Sequence, residues 1–516
     1  MAEILARLAA ERGPEQLMLA ADQQSMSRSE LDRRVNQWID VLRGHGLRAG
    51  DRVALITGNR LVSFEVLLAC LHSGLVAVPV SWRLTAGEIA YVLADSGSRA
   101  VVTEPVYARR VAAAVRSADL GLALATVSGA EPQAGLVPAE SLLATAAASE
   151  PGDQRSGSVM LYTSATTGQP KGVLTSLFRL GSEVATIERT AAALSGQFGL
   201  PEQGRSLLAG PWYHAAQLFF SLFPLLRGCG LVLRQRFDAA AVLADFDREQ
   251  IALCHLVPTQ FIRFLALDER SRAAFRGDSL QRIWHGGAAC PVDVKRQMIT
   301  WWGPVLFEYY AATEAGIITT IDSAEWLARP GSVGQPAGRT EVLILDEEGA
   351  PGPVGVPGYV YVRRPPELDF QYHNAPGKTA ASHCAPGMFT IGDLGRVDSD
   401  GYLYLTGRSL DTIISGGVNI YPAEVEAALV SHQAVRDAAV FGVPDAEFGE
   451  RVMAVVELDP RAGLAGDDVP AELDRHCRLQ LADYKRPRIY QVIRRMPRQP
   501  TGKLDKRVLR DPYWSR

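Results

Sequence analysis

Between residues 53 and 80 the chain runs through an apolar strand (53–56), a helix (63–72) and a second apolar strand (75–80) with few polar interruptions. A strand that is apolar at almost every position is buried on both faces. That requires a parallel sheet covered by helices, joined by crossover connections. The alternation continues through strand 158–162, helix 214–226, strand 231–233, helix 239–248, strand 253–257 and helix 259–267. The expected class is α/β, with a large N-terminal region of layered βα sheets. Residues 61–80 are apolar enough to suggest a membrane segment, but Glu65, His72 and Pro79 interrupt them, so no membrane span is expected.

After about Pro330 the texture changes. Glycine and proline become frequent, and short strands at 342–345 and 358–362 predict a β-rich subdomain. Residues 401–407 and then 408–421 read as a hairpin followed by a glycine loop. Beyond them lies a compact α+β pattern: helix 422–430, strands 438–443 and 451–457, helix 471–480, strand 488–493. A boundary near 408–411 gives an N-terminal domain over 1–407 and a small C-terminal domain over 408–516.

Charge excludes some partners. A formal net charge of -4 leaves no basic excess for nucleic acid. The N-terminus MAEILARLAAERG carries Glu3, Arg7, Glu11 and Arg12, unlike a secretory signal. Six cysteines without a CxxC pair read as reduced core cysteines of a cytoplasmic protein, not a zinc site or a disulfide framework.

The stretch LYTSATTGQPKGV (161–173) carries chemistry. Thr163, Ser164, Thr166 and Thr167 offer hydroxyls at the end of a strand. Gly168 lets the backbone approach a ligand closely, and Lys171 supplies a point charge. Successive N–H groups and hydroxyls of this kind wrap phosphate oxygens. The GxxxxGK[ST] spacing of a P-loop NTPase is absent.

Six further motifs follow in order: PWYHAAQ (211–217), HGGAACP (285–291), EYYAATEAG (308–316), TIGDLG (390–395), GRSLDTIISGGVNIYPAEVE (407–426) and PRQPTGKLDKRVL (497–509). Together with the phosphate loop they resemble the adenylate-forming superfamily of acyl-CoA synthetases, adenylation domains and firefly-type luciferases, closest to the acyl-CoA synthetases. The resemblance implies a two-step reaction. A carboxylic acid attacks the α-phosphate of ATP to give an acyl-adenylate and pyrophosphate, and the thiol of CoA then displaces AMP. It also implies a small C-terminal domain that is mobile between two poses, one for each step.

The resemblance carries roles onto particular residues. The 163–171 loop, with Thr163, Ser164, Thr166, Thr167, Gly168 and Lys171, would cradle the outer phosphates. Thr313 would bond the α-phosphate and Glu314 would hold Mg²⁺. Gly286, Gly287 and Ala288 would form a wall for adenine, with Tyr310 stacking opposite and Ala311 beside it. Asp393 and Arg408 would take the ribose. Lys503 would reach the reacting atoms in the first pose. In the second, Gly416 and Gly417 would line the pantetheine path, while Lys485, Arg486 and Arg83 would meet CoA phosphates. His214 would gate the acyl pocket, lined by Trp212, Gln217, Leu218, Phe219, Trp284 and His285. No cation in that set suits a second carboxylate, so an apolar or aromatic monocarboxylic acid is expected.

Ala165, Ala311 and Leu410 depart from the family pattern, which has glycine at the first two positions and Asp or Lys at the third. A methyl at a glycine position excludes positive φ and fills space beside a ligand. Alternatives therefore stay open beside the full ligase. One is an enzyme of the thiolation half only, supplied with acyl-adenylate by a separate adenylating enzyme. Others are a protein that loads a carrier pantetheine and a non-catalytic nucleotide-binding protein.

Overall fold

The computed structural model describes residues 4–163, 170–288, 290, 292–346, 349–408, 413–420, 422–460, 462, 464, 468–497 and 506–514. Two large sheets form the N-terminal part. In the seven-stranded sheet, Arg52–Ile56 lies between Val76–Pro79 and Ser98–Thr103 in parallel register, and Ser158–Thr163 continues the sheet beside Val76–Pro79. In the nine-stranded sheet, Arg205–Leu208, Ile251–Leu256, Arg282–His285 and Leu306–Ala312 run parallel in succession. The α/β expectation is met.

The apolar 61–72 stretch is explained by its position. The helix Leu61–His72 packs on strands of both sheets and is buried on every side. Its one acid is satisfied: Glu65 accepts from Arg34 Nε and from Trp38 Nε1, each at 3.0 Å. Among the described residues no helix is long and apolar enough to cross a membrane.

Two smaller five-stranded sheets follow. In one, Gly358–Arg363, Met388–Val397 and Leu403–Arg408 form an antiparallel meander. The other is built wholly from residues 413–493, with Gly449–Leu458 at its centre and Val435–Asp445 paired along one side of it. The helices Pro422–Val430 and Asp468–Gln480 cover one face of this last sheet. The expected glycine loop is itself a hairpin, Ile413–Ser415 paired with Val418–Ile420.

Candidate active site

A cavity of about 1170 Å³ lies where the two large sheets, the meander and the 413–493 unit meet. That is space for a nucleotide and an acyl group together.

At one end, Ser158–Thr163 and Lys171–Leu174 pair antiparallel, with Thr163 opposite Lys171. The tip between them, with Ser164, Ala165, Thr166, Thr167 and Gly168, lies outside the described residues. Across from it, the backbone N–H of His373 donates to the Gly172 carbonyl (2.8 Å), which docks the 370–378 segment on this strand. Tyr372 thereby meets two groups: its ring lies 4.3 Å from Lys171 Nζ, and its hydroxyl donates to Glu314 Oε1 at 2.8 Å. Burial, and then the charge of Lys378, lower the pKa of Lys171. Two lysines and one glutamate thus face a common space, with Thr313 beside them.

The glycines have distinct local reasons. A Cβ on Gly286 would stand 2.6 Å from the Tyr309 ring, so only hydrogen fits there. Gly287 has φ +80° and lines the cavity, whereas Ala288 is half-buried. Tyr310 departs from its expected place against a base. It is buried among Ile318, Val360 and Phe389, its hydroxyl donates to Asp393 at 2.5 Å, and it does not line the cavity. Asp393 is buried and pairs across the meander with Arg408, so these two positions are cross-strand neighbours. Ala311 lines the cavity at an irregularity in the Leu306–Ala312 strand. It is not among the non-glycine residues at positive φ, so its backbone carries no strain from the methyl.

The apolar part of the cavity is walled by Leu194, Phe198, Phe219, Phe220, Phe223 and Tyr309. His214 caps the Ala215–Leu226 helix, and 3.6-residue periodicity turns Phe219, Phe220 and Phe223 inward. Of the expected lining, His214 and Phe219 are there, and the rest is not. Trp212 is buried with Nε1 donating to the Thr57 carbonyl. Gln217 lies behind the wall, donating to His255 Nδ1 at 2.8 Å, and His255 Nε2 meets the Tyr309 hydroxyl at 2.7 Å. Leu218, Trp284 and His285 are likewise core residues. Burial, then the charge of Arg83, push the pKa of His214 down to about 4.

The third wall comes from the 413–493 unit: Gly417, Val418, Asn419, Tyr484 and Lys485. Here the expected basic patch is corrected. Lys485 is 2 % exposed and spans two carboxylates, Glu88 at 2.9 Å and Glu424 at 2.7 Å. Arg486 is buried against Asp474 and Asp483. Neither cation is free to meet a phosphate in this arrangement. Arg83 is exposed, with its guanidinium 5.0 Å from the Trp82 ring. Lys503 and Leu410 lie outside the described residues, as does the side chain of Arg408.

Tyr372, Lys378 and Arg364 line the cavity without having been read from the sequence. Arg364 carries no motif signature of its own. It follows directly on the last residue of the Gly358–Arg363 strand. Nη2 of Arg364 donates to the Ile317 carbonyl and its Nε is buried without a hydrogen-bond partner. Among the described residues no carboxylate pairs with it, and burial lowers its pKa to about 10. Arg364 is thus a further cation of the cavity, outside the set read from the sequence for the acyl pocket.

Comparison with known proteins fits this geometry. The model of the AMP-binding enzyme family matches residues 6–368, and that of the AMP-binding enzyme C-terminal domain matches residues 424–503. The chain belongs to the AMP-binding enzyme family. It is 34% identical to a feruloyl-CoA synthase of an Amycolatopsis species over 492 residues, 94% of each chain. It is 31% identical to the long-chain-fatty-acid–CoA ligase FadD13 of Mycobacterium tuberculosis over 498 residues, 95% of this chain and 93% of that one.

Among solved structures, the amide bond synthetase McbA from Marinactinospora thermotolerans superposes with a TM-score of 0.85 at 27% identity, covering 99% of this chain and 100% of that one. The o-succinylbenzoate CoA synthetase of Bacillus subtilis is similar in two states. A double mutant bound with a product analogue scores 0.82 at 28% identity over 99% and 98% of the chains. The complex with the acyl-adenylate intermediate scores 0.66 at 27% identity over 98% and 97%.

Proposed function

We propose that this protein is an acyl-CoA ligase that activates an apolar or aromatic carboxylic acid with ATP and transfers the acyl group to CoA. The observation that carries it is one continuous cavity. It joins a cationic end (Lys171, Lys378) beside Thr313 and Glu314 to an aromatic pocket and to the Gly416–Gly417 hairpin. The domains divide at 407/408, and the C-terminal domain moves between the steps.

In the first step Lys171 and Lys378 offset the outer phosphates, which suits two like charges held close in a half-buried wall. Thr313 orients the α-phosphate. Tyr372 fixes Glu314 through one carboxylate oxygen. A single carboxylate with substrate phosphates and water is a usual set for Mg²⁺, so Glu314 would hold the ion, which would offset charge on the phosphates. His214 serves as a gate between acyl pocket and thiol path and not as a base. An imidazole protonated only near pH 4 binds a proton too weakly for work near neutrality.

The test is CoA consumption and pyrophosphate release measured in parallel on ferulate, benzoate, octanoate and 2-succinylbenzoate, with and without an added amine. Thioester and pyrophosphate in equal amounts are expected. Acyl-amide formed without CoA would overturn the choice of acceptor. A preference for the dicarboxylate would assign Arg364 to a second acidic group. Because Ala311 sits at ordinary φ, Ala311→Gly is expected to change pyrophosphate release by less than about threefold. A much larger gain would favour the thiolation-only reading. Lys378→Met should raise the KM for ATP by roughly tenfold, the loss of one charge-assisted contact, with the KM for the acid unchanged.

A further inference from the structure

Lys485 is the most deeply buried lysine that faces the cavity, and its two carboxylates come from different parts of the molecule. Glu424 belongs to the Pro422–Val430 helix, on the same unit as Lys485. Glu88 belongs to the Ala86–Ser96 helix, which flanks the seven-stranded sheet. We propose that Glu88 is a positioning residue for thioester formation: its carboxylate receives Lys485 and holds the C-terminal unit where Gly417 and Tyr484 close the cavity.

The geometry makes Glu88 a prepared receptor. It is the third residue of a helix that starts after Thr85, and its Oε2 accepts from the Thr85 backbone N–H (2.8 Å) and hydroxyl (3.0 Å). Those two bonds to one oxygen fix the carboxylate and leave Oε1 aimed at Lys485 Nζ. Glu424 stays with Lys485 through any rigid rotation of the C-terminal unit, whereas Glu88 does not. The Glu88 contact is therefore specific to this arrangement. Burial opposes the charge on Lys485, but Tyr484, Glu424 and Glu88 outweigh it and hold its pKa above the usual lysine range.

The surrounding contacts make the same junction. Ala482 is buried in one apolar cluster with Val80 and Ile89. Gly417 lies against Val257. Removing the Glu88 charge leaves Lys485 paired with Glu424 inside the C-terminal unit, so what is lost is the latch, the Lys485 ion pair that crosses the junction. One relative's chain matches this one with a TM-score of 0.82 in one complex and 0.66 in another, a difference in arrangement between those two structures.

The kinetic part of the test rests on the ligase reading, and the structural part does not. Arg263 and Glu447 form an exposed ion pair across the same junction (2.7 Å). Arg263→Cys and Glu447→Cys, in a Cys384→Ser background, can be cross-linked with bismaleimidoethane without any substrate. Glu88→Gln, which keeps size and removes charge, is expected to lower the cross-linking rate by roughly tenfold. In the same variant, thioester formation from supplied feruloyl-adenylate and CoA should fall by a similar factor. Pyrophosphate release from ferulate and ATP should stay within about twofold.

Thr85→Ala keeps the charge and the backbone N–H bond to Oε2 and removes only the hydroxyl bond, so it should lower thioester formation less than Glu88→Gln does. Unchanged cross-linking, equal loss of both half-reactions in a folded Glu88→Gln protein, or a loss in Thr85→Ala as large as that in Glu88→Gln would each overturn the assignment. If wild type turns over none of the acids tested, the ligase reading fails while cross-linking still decides the latch.

Discussion

Gly417→Leu is expected to lower thioester formation by at least about a hundredfold while pyrophosphate release stays within about twofold of wild type. Gly416 and Gly417 have φ of +58° and +78° in the two-residue turn between Ser415 and Val418. Successive positive φ angles in such a turn define type I′, which suits glycine at both positions. The structure therefore gives a reason for these glycines other than the narrowness of a path. They let the hairpin turn, and they let it approach Val257. A Cβ on Gly417 would already lie 3.5 Å from Val257 Cγ1, in contact before the rest of leucine is added.

The substitution thus combines an unfavourable backbone conformation with a wedge at the docking surface. The hairpin must move from the cavity, and a displacement of about an ångström in a reacting assembly is worth two orders of magnitude. Adenylation, which does not use this docking, should persist. The check is the rate with supplied acyl-adenylate against pyrophosphate release, alongside Gly416→Ala, whose Cβ meets only the Phe448 ring. Equal effects on the two half-reactions would mean that the hairpin supports the whole fold and not this arrangement.

What could be read in the sequence was local. Apolar runs such as 53–56 and 76–79 declare buried strands because nothing else tolerates such sequences, and the helix 239–248 is bounded by Asp238, whose side chain accepts from the Ala241 N–H. The motif residues Thr313, Glu314, Lys171 and Gly417 were legible by resemblance, and the structure brings them to one cavity. Long-range pairing was not legible. Lys485 looks like a surface cation in YKRP because Glu88, which partners it, lies 397 residues earlier. Gln217 and Trp284 look like pocket residues because their motif neighbours are. One residue along a strand turns a side chain to the other face, and one along a helix rotates it by about 100°. The Ala185–Phe198 helix, which supplies Leu194 and Phe198 to the pocket, lies between the motifs and carries no signature of its own.

The same face-to-face logic accounts for Glu308, which belongs to EYYAATEAG but serves the fold. Alternation along Leu306–Ala312 sends Tyr309 to the cavity and Glu308 to the opposite side of the sheet. There it meets Lys295 of the Val292–Trp302 helix at 2.5 Å, in a site where Lys295 is fully buried and its Nζ lies 4.7 Å from the Trp326 ring. Lys295→Met is expected to destabilise the protein by about 3–5 kcal/mol near neutral pH, because it strands a buried carboxylate.

The sign of the pH dependence follows from Glu308. Burial raises its pKa and Lys295 opposes the rise, so removing the lysine lifts it further. Above the ordinary carboxylate pKa the unfolded chain is ionised at this position while the folded variant still holds its proton. The folded state then binds more protons, and stability falls as pH increases until the folded pKa is passed. Urea unfolding at pH 5.5 and 7.5 should show the variant losing up to about 1.4 kcal/mol per pH unit relative to wild type. Parallel pH profiles for the two proteins would mean that Glu308 finds another partner when the lysine is gone. Because Glu308 lies in the strand that leads into Ala311, Thr313 and Glu314, a protonated or displaced carboxylate there should also slow pyrophosphate release, and Lys295→Arg should restore part of both losses.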